Sequence, residues 1–469
     1  MERRNFLKNS SLALISAGLL KSASATNGVG ADVLKKSKKA KNIIFLVSDG
    51  MSTGTMAMAN LLLQRKEGRL SNWMQLYNDN LVSRALMDTA SASSMVTDSA
   101  AASSSWGGGV RVKNGSLNTN ADGSTNTPIL QKFKAAGKSV GCVTSVPVAH
   151  ATPAGFCVTQ KSRGSMEDIA SDYLQLRFDV MMGGATELFL ASERKDKRDL
   201  FKEFTDGGFS VVKSRNEMLQ LPNSHSRPVL GVFNTKSLPY ALDRQNDAAL
   251  KANTPTLAEM SKTAIEHLSQ NKKGFVLQIE GGKVDWAAHS NDAGALLYDQ
   301  IAFDDAIKVA IDFAKADKET LVIITTDHGN ANPGLFYGSK ADKNFERLMN
   351  FKHTNDWVLM GINRNFSTQQ VIERLEAAQG YAITTDEAKE ILTHYEKLDE
   401  SGLYNSYKLP FKVLANIQQN YTSIGWGSMD HSGDHVELAM YGPGSEKLKP
   451  FVKNYELHNF MLQAAGVKV

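Results

Sequence analysis

The sequence predicts an α/β fold: a doubly wound, mostly parallel sheet flanked by helices on both faces, with a helical insertion near the rim of the site. Three observations predict it. Short apolar runs at 42–48, 139–144, 274–279 and 320–325 read as strands buried on both faces. Helical patterns such as 53–66, 256–270 and 292–316 alternate with them, as parallel strands joined by crossovers require. Finally, Asp49, Glu280 and Asp327 each follow an apolar run, at the carboxyl edge where such sheets collect their working groups. One acid there is an ordinary strand end; three on one edge are harder to dismiss.

The chain has 469 residues, of which 42% are hydrophobic and 22% charged, enough to bury a sizeable core. Its net charge is +4, and Arg3, Arg4, Lys8 and Lys21 against Glu2 supply +3 of that before residue 26. The remainder is nearly neutral and carries no nucleic-acid footprint.

Residues 1–25 read as a targeting segment. A charged start (Arg3-Arg4-Asn5-Phe6-Leu7-Lys8) is similar to a twin-arginine export signal, a short apolar stretch covers 12–20, and Ala23-Ser24-Ala25 places cleavage after Ala25. No apolar run is long enough to be a transmembrane helix in the mature chain. The expectation is an exported protein, periplasmic or secreted. Residues 35–41 form a basic, solvated linker, and residues 26–469 the main domain.

Cys142 and Cys157 are the two cysteines. They could pair in an oxidising compartment but make no disulfide framework; Cys142, in an apolar run, reads as a small buried residue, and free thiols are the expectation. The segment from about 333 to 426 is rich in charged helical patterns (368–378, 385–397) and reads as an insertion. A lid, a dimer element and a solvent-facing excursion are all open readings of it. A strand at 437–441 and a terminal helix at 450–465 complete the chain.

The chemistry starts at Thr97-Asp98-Ser99-Ala100-Ala101-Ala102, where Ser99 falls in the first turn of a helix, beside free N–H groups that favour an anion. On this stretch alone the serine is either a reactive group or part of an N-cap. Other residues decide. Asp285 and His289 stand at i and i+4, one face of a helix, the spacing of a metal chelate. Asp327-His328 opens from a strand into a loop, and His431 sits beside a turn in Asp430-His431-Ser432-Gly433. Carboxylate with imidazole suits zinc, whereas an all-oxygen set suits magnesium.

With these residues in view, the chain resembles the alkaline phosphatases from Asn42 to its last helix, the insertion excepted. The carrying motifs are Asp49-Gly50, Thr97-Asp98-Ser99-Ala100-Ala101, Ala151-Thr152-Pro153-Ala154, Glu280-Gly281 with Asp285 and His289, Thr326-Asp327-His328, and His431-Ser432-Gly433. Singly each is weak; six in order are specific. The resemblance implies two zinc ions and one magnesium. Asp285, His289 and His431 match the first zinc; Asp49, Asp327, His328 and the Ser99 oxygen match the second. Asp49, Thr152 and Glu280 match the magnesium. Arg163, thirteen residues after His150, stands where the family grips phosphate, and Asp98 orients it or caps the helix.

The implied reaction is hydrolysis of small phosphate monoesters through a phosphoserine at Ser99. The family is often homodimeric. Two positions depart from the best-known bacterial pattern: His150 replaces an aspartate, leaving a direct ligand or a water-holding role open at the third metal, and Trp286 replaces a lysine. His435 is expected to be structural or to support a ligand. A sulfatase needs Pro and Arg after its nucleophile, which Ser99-Ala100-Ala101-Ala102 lacks. A phosphodiesterase of the same superfamily, and an exported phosphate- or metal-binding protein without turnover, are the remaining alternatives.

Overall fold

The computed structural model describes residues 39–222, 227–398 and 408–468. The targeting segment and most of the basic linker therefore lie outside the described residues.

Strand β1 (Asn42–Val47) is the spine of the sheet, and its six residues are all buried. Side chains alternate along a strand, so Ile44 and Leu46 enter one core layer while Ile43, Phe45 and Val47 enter the other. This explains an unbroken apolar run rather than an alternating one. The other strands are β2 (Ser83–Asp88), β3 (Ser139–Pro147), β4 (Val180–Gly184), β5 (Ser210–Val212), β6 (Val229–Val232), β7 (Phe275–Glu280), β8 (Thr320–Thr325), β9 (Gly329–Asn330), β10 (Gly334–Leu335), β11 (Ile424–Gly425), β12 (His431–Ser432), β13 (Val436–Tyr441) and β14 (Phe451–Lys453).

Ten of them form one sheet in the order β14-β2-β13-β8-β1-β7-β3-β4-β6-β5. Pairing is parallel from β8 through to β5, and β13 runs antiparallel to both its neighbours. The sheet is thus doubly wound and mostly parallel, as the alternation of runs and helical patterns predicts. Strands β8, β1, β7 and β3 are adjacent, with Val47 level with Thr325 and Glu280, and Glu280 level with Thr144. Four neighbouring strands therefore open at one place on the carboxyl edge.

On one face lie α1 (Thr53–Glu67), α4 (Leu257–Leu268) and the 25-residue α6 (Ala293–Asp317). On the other lie α2 (Ser99–Gly108), α3 (Ala151–Cys157) and α10 (Glu456–Ala465). Phe45 anchors this second layer, its ring 5.0 Å from both Trp106 and Phe156. Helices α2 and α3 nearly touch: a Cβ on Gly107 would stand 2.0 Å from the Gly155 carbonyl oxygen, and one on Gly155 2.1 Å from Ser103 Oγ. The two thiols are free, with the Sγ atoms of Cys142 and Cys157 3.6 Å apart in this layer.

The segment at 333–426 holds amphipathic helices α7 (Thr368–Gln379), α8 (Thr385–Glu396) and α9 (Phe411–Thr422). Both α7 and α8 start on complete capping boxes, from Ser367 with Gln370 and Thr384 with Glu387. The two ends of the segment are clipped together by the antiparallel pair β10–β11. At the C-terminus, the helix expected over 450–465 begins only at Glu456. Residues Phe451–Lys453 instead pair with β2 as an edge strand, so Pro450 precedes a strand and not a helix.

Candidate active site

The strand ends supply acids, and a small ribbon supplies imidazoles. Asp49 follows β1 and is followed by Gly50 at φ +68°, where a Cβ would lie 2.5 Å from Asp285 Oδ1. Only glycine allows that turn to pass so close beneath helix α5 (Lys283–His289). Asp285 and His289 lie one turn apart on α5, as their spacing predicts. Strands β9 and β12 pair His431 with Asn330, which carries His431 from the far side of the inserted segment to His328. The His328 and His431 rings stack at 3.7 Å.

Three groups of ligand atoms result, each within 4.8 Å: Asp285, His289 and His431; Asp49, Asp327 and His328; and Asp49, His150 and Glu280. Asp49 belongs to two of them and bridges. Ser99 Oγ lies 3.3 Å from His328 Nε2, adding a hydroxyl to the second group. Thr152 donates to Asp49 Oδ2 at 3.2 Å, which places its oxygen at the third.

The imidazoles are aimed by backbone carbonyls. Nδ1 of His289 meets Met429 O at 2.6 Å, Nδ1 of His431 meets Thr97 O at 2.9 Å, and Nδ1 of His328 meets Gly329 O at 3.3 Å. Each contact places a proton on Nδ1 and turns Nε2 toward the carboxylates. Asn330 Nδ2 holds Asp285 Oδ1 at 2.7 Å, and Thr144 donates to Glu280 Oε2. Gly50 N and His328 N both donate to Asp327 Oδ1 at 3.0 Å, which leaves Oδ2 free.

The donor set fits metal ions. Asp49 Oδ1, Asp327 Oδ2, Glu280 Oε1 and His150 Nδ1 are all buried without a hydrogen-bond partner. Each lies in one of the three groups, and the three carboxylate oxygens among them are orphaned buried acceptors, costly unless a cation meets them. Crowding shows in the acidities. Burial, then the charges of Asp327, Asp285 and Glu280, raises Asp49 well above the usual carboxylate range. Burial, joined by the Asp285 charge, pushes Asp327 up to about 7. Burial and neighbouring His431 hold His328 well below its usual range. His431 outweighs its own burial through its contact with Asp285 and rises to about 9, while Asp285 is correspondingly depressed.

Ser99 is the first residue of α2, and Asp98 is its N-cap, accepting from Ala101 N at 2.9 Å. The cap of this helix is therefore Asp98 rather than the serine, and Ser99 stands as the first helical residue at its positive end. The second oxygen of Asp98 also binds Arg163 Nη1 at 3.1 Å. Arg163 Nη2 donates to His150 Nε2 at 3.1 Å, and the far nitrogen, Nδ1, lies 3.8 Å from Glu280 Oε1. A neutral imidazole that accepts at Nε2 carries its proton on Nδ1, so His150 cannot hold Arg163 in this way and ligate a cation through Nδ1 together.

The structure thus gathers Asp49, Asp98, Ser99, His150, Thr152, Arg163, Glu280, Asp285, His289, Asp327, His328 and His431 at one sheet edge. His435 is not among them; its ring packs edge-on to Phe451 at 5.2 Å. Asn330 and Thr144 are supporting residues that sequence reading missed. Asn330 lies 45 positions from Asp285 and Thr144 136 from Glu280, separations that no local pattern marks.

Comparison with known proteins agrees with this geometry. The family model described as alkaline phosphatase matches residues 40–467. Alkaline phosphatase 4 of Bacillus subtilis is 30% identical over 98% of this chain and 96% of its own length. Alkaline phosphatase 3 of the same organism is 31% identical over 90% of this chain and 88% of its own. The crystal structure of Thermus thermophilus alkaline phosphatase superposes with a TM-score of 0.85, at 30% identity and 96% coverage of both chains. Among the described residues no helix is long and apolar enough to cross a membrane. A doubly wound sheet, three ligand groups of carboxylates and imidazoles at its edge and a family match along nearly the whole chain lead to one conclusion: this protein belongs to the alkaline phosphatase family, and is a metal-binding phosphatase acting on small phosphate esters.

Proposed function

We propose that the chain is an exported phosphomonoesterase that works through a phosphoserine at Ser99, with two zinc ions and one magnesium. The observation that carries this reading is the place of Ser99 Oγ: at a helix N-terminus, 3.3 Å from His328 Nε2 and next in the chain to Asp98, whose carboxylate binds the Arg163 guanidinium. Asp285, His289 and His431 would hold the first zinc, and Asp49, Asp327, His328 and Ser99 the second. Asp49, Thr152 and Glu280 would hold the magnesium, with His150 joining only when it releases Arg163. When bound, these ions supply Lewis acidity that lowers the pKa of hydroxyl groups and offsets charge on the phosphate oxygens.

Arg163 grips two non-bridging oxygens of the ester, its approach fixed by Asp98 and His150. Ser99 Oγ attacks phosphorus in line as its O–H proton leaves. The P–O bond to the alcohol breaks on the opposite side, and the alcohol departs. A water then attacks phosphorus from the vacated side, the P–Oγ bond breaks, and inorganic phosphate leaves with Ser99 restored. The helix α2 dipole favours the anion throughout. The Arg3-Arg4 start and the Ala23-Ser24-Ala25 site support export, to the periplasm or beyond it.

The test is release of p-nitrophenol from its phosphate monoester and from bis-p-nitrophenyl phosphate, at alkaline pH, with and without chelator, for wild type and Ser99→Ala. The expected result is a preference for the monoester, with turnover abolished by chelation and reduced more than about 10³-fold in the variant. A preference for the diester makes the site a phosphodiesterase. A folded, metal-loaded protein without turnover leaves a phosphate- or metal-binding role.

A further inference from the structure

Behind the phosphate-gripping arginine lies a buried lysine that the reaction does not use. Lys283, the first residue of α5, is 4% exposed. Its Nζ sits 3.5 Å from the centre of the Tyr240 ring and 4.7 Å from that of Trp286, and donates to Ser237 Oγ at 3.3 Å. Lys283 and Trp286 are three residues apart, hence on one face of the helix. The indole meets the His150 ring edge-on, with centroids 6.2 Å apart. His150 Nε2 in turn accepts from Arg163 Nη2 at 3.1 Å. A continuous line of contacts therefore runs from Lys283 through Trp286 and His150 to the guanidinium.

A buried ammonium needs compensation. Here the charges of Asp299, Asp356, Asp243 and Asp292 act on Lys283 from α6 and from the segments at 241–246 and 355–360. Asp292 is fixed by Ala295 N and Asn355 N, Asp243 by Thr354, and Asp299 by Ala241 N. Three of the four acids are thus held in place, and the ammonium lies among them against the two rings. Counterbalancing those acids requires a cation but not a cation stacked on two aromatic faces, one of which walls the site.

We propose that Lys283 is a positioning residue for phosphate recognition: clamped between Tyr240 and Trp286, it fixes the indole against His150 and so sets the aim of Arg163. This rests on the phosphomonoesterase reading above. It places a specificity element outside the ligand groups, where neither a phosphate nor a metal ion touches it.

The experiment compares Lys283→Met and Lys283→Arg in the metal-loaded enzyme, each alone and with Trp286→Ala. The readouts are the dissociation constant of inorganic phosphate by calorimetry, KM and kcat for p-nitrophenyl phosphate, and the thermal midpoint. The expected result is that Lys283→Met weakens phosphate binding and raises KM by about five- to tenfold with kcat within about twofold. Lys283→Arg, which keeps a stacking cation, restores both. Within Trp286→Ala, Lys283→Met adds nothing, because the two act through one path. Should Lys283→Met fail to fold, Tyr240→Leu removes one face of the clamp, keeps the charge, and is expected to weaken phosphate binding likewise. Unchanged phosphate affinity in a folded Lys283→Met or Tyr240→Leu protein, or an effect that persists undiminished within Trp286→Ala, overturns the proposal while an active wild type leaves the enzyme reading intact. A wild type that neither binds phosphate nor turns over monoester overturns that reading and this one together.

Discussion

Around Asp49, Glu280 and Asp327, buried polar atoms stand without hydrogen-bond partners, whereas Asn355, Gln379, Tyr381 and Gln418, buried as deeply in the segment at 333–426, satisfy one another. Gln418 Nε2 donates to Asn355 Oδ1 and Gln379 Oε1 at 2.8 and 2.6 Å; Asn355 Nδ2 returns to Gln418 Oε1 at 2.7 Å; and Tyr381 donates to Gln379 Oε1 at 2.9 Å. Among the described residues, none of the orphaned buried atoms falls in that segment. A closed amide network specifies a fold. Open carboxylates specify a ligand. The contrast separates the part of the molecule built to be complete from the part built to be completed.

The largest expected effect breaks the comparison on the site's side. Asp49 serves two ligand groups, so Asp49→Asn is expected to cut turnover by more than about 10³-fold. The same change removes a buried charge repelled by Asp327, Asp285 and Glu280. At a pH high enough to ionise Asp49, the metal-free variant should therefore unfold at a higher temperature than metal-free wild type. A lower midpoint in calorimetry would mean that the carboxylate stabilises the empty fold.

An intermediate effect is expected in the amide network. Gln418→Leu strands Asn355 and Gln379 and should cost about 2–4 kcal/mol by denaturant unfolding. Turnover per folded molecule should stay within about twofold. A large loss of kcat with little loss of stability would tie the segment to the chemistry.

The smallest effect concerns pH. Asp327, raised to about 7, lets the folded metal-free protein bind a proton that the unfolded chain has already lost above the ordinary carboxylate range. His431, raised to about 9, gives stability that is full below its ordinary pKa and lost as pH rises through 9. His328, held low, acts oppositely below the ordinary histidine pKa of about 6.5, so the two raised groups govern only above it: metal-free stability should fall gradually from pH 7 to 9. Zinc must displace the same protons, so its affinity should strengthen by roughly tenfold per pH unit for each one released. Thermal scans and proton release on zinc addition check both halves. A metal-free midpoint that rises between pH 7 and 9 would contradict them.

Much of this was legible in the sequence, for reasons particular to each element. The fully buried strands β1, β7 and β8 announce themselves as apolar runs, and the ligands beyond them follow because chain direction places strand ends at one edge. Spacing put Asp285 and His289 on one helix face. Shorter strands were silent. Ser210–Val212 and Phe451–Lys453 have three residues each, too few for a period to show, and the second hid inside a helical reading of 450–465. The Asn330 hold on Asp285 and the Lys283 clamp arise from topology alone. Arg163 was placed by resemblance; its contacts with Asp98 and His150 give the physical reason.

The near-contact of Gly107 with Gly155 has a consequence for anyone redesigning this enzyme. Where α2 and α3 cross, only the small Ser103 side chain stands between their backbones, leaving little to take up error, so a shift of Ser99 is coupled to a shift of Thr152. A substitution that shifts one shifts both, and a search for altered specificity at the serine is at the same time a search at the ligand group of Asp49, His150 and Glu280 beside Thr152. The useful degrees of freedom lie elsewhere, on the loop that carries Arg163 and on the wall formed by Trp286, where side chains rather than main chain set the distances.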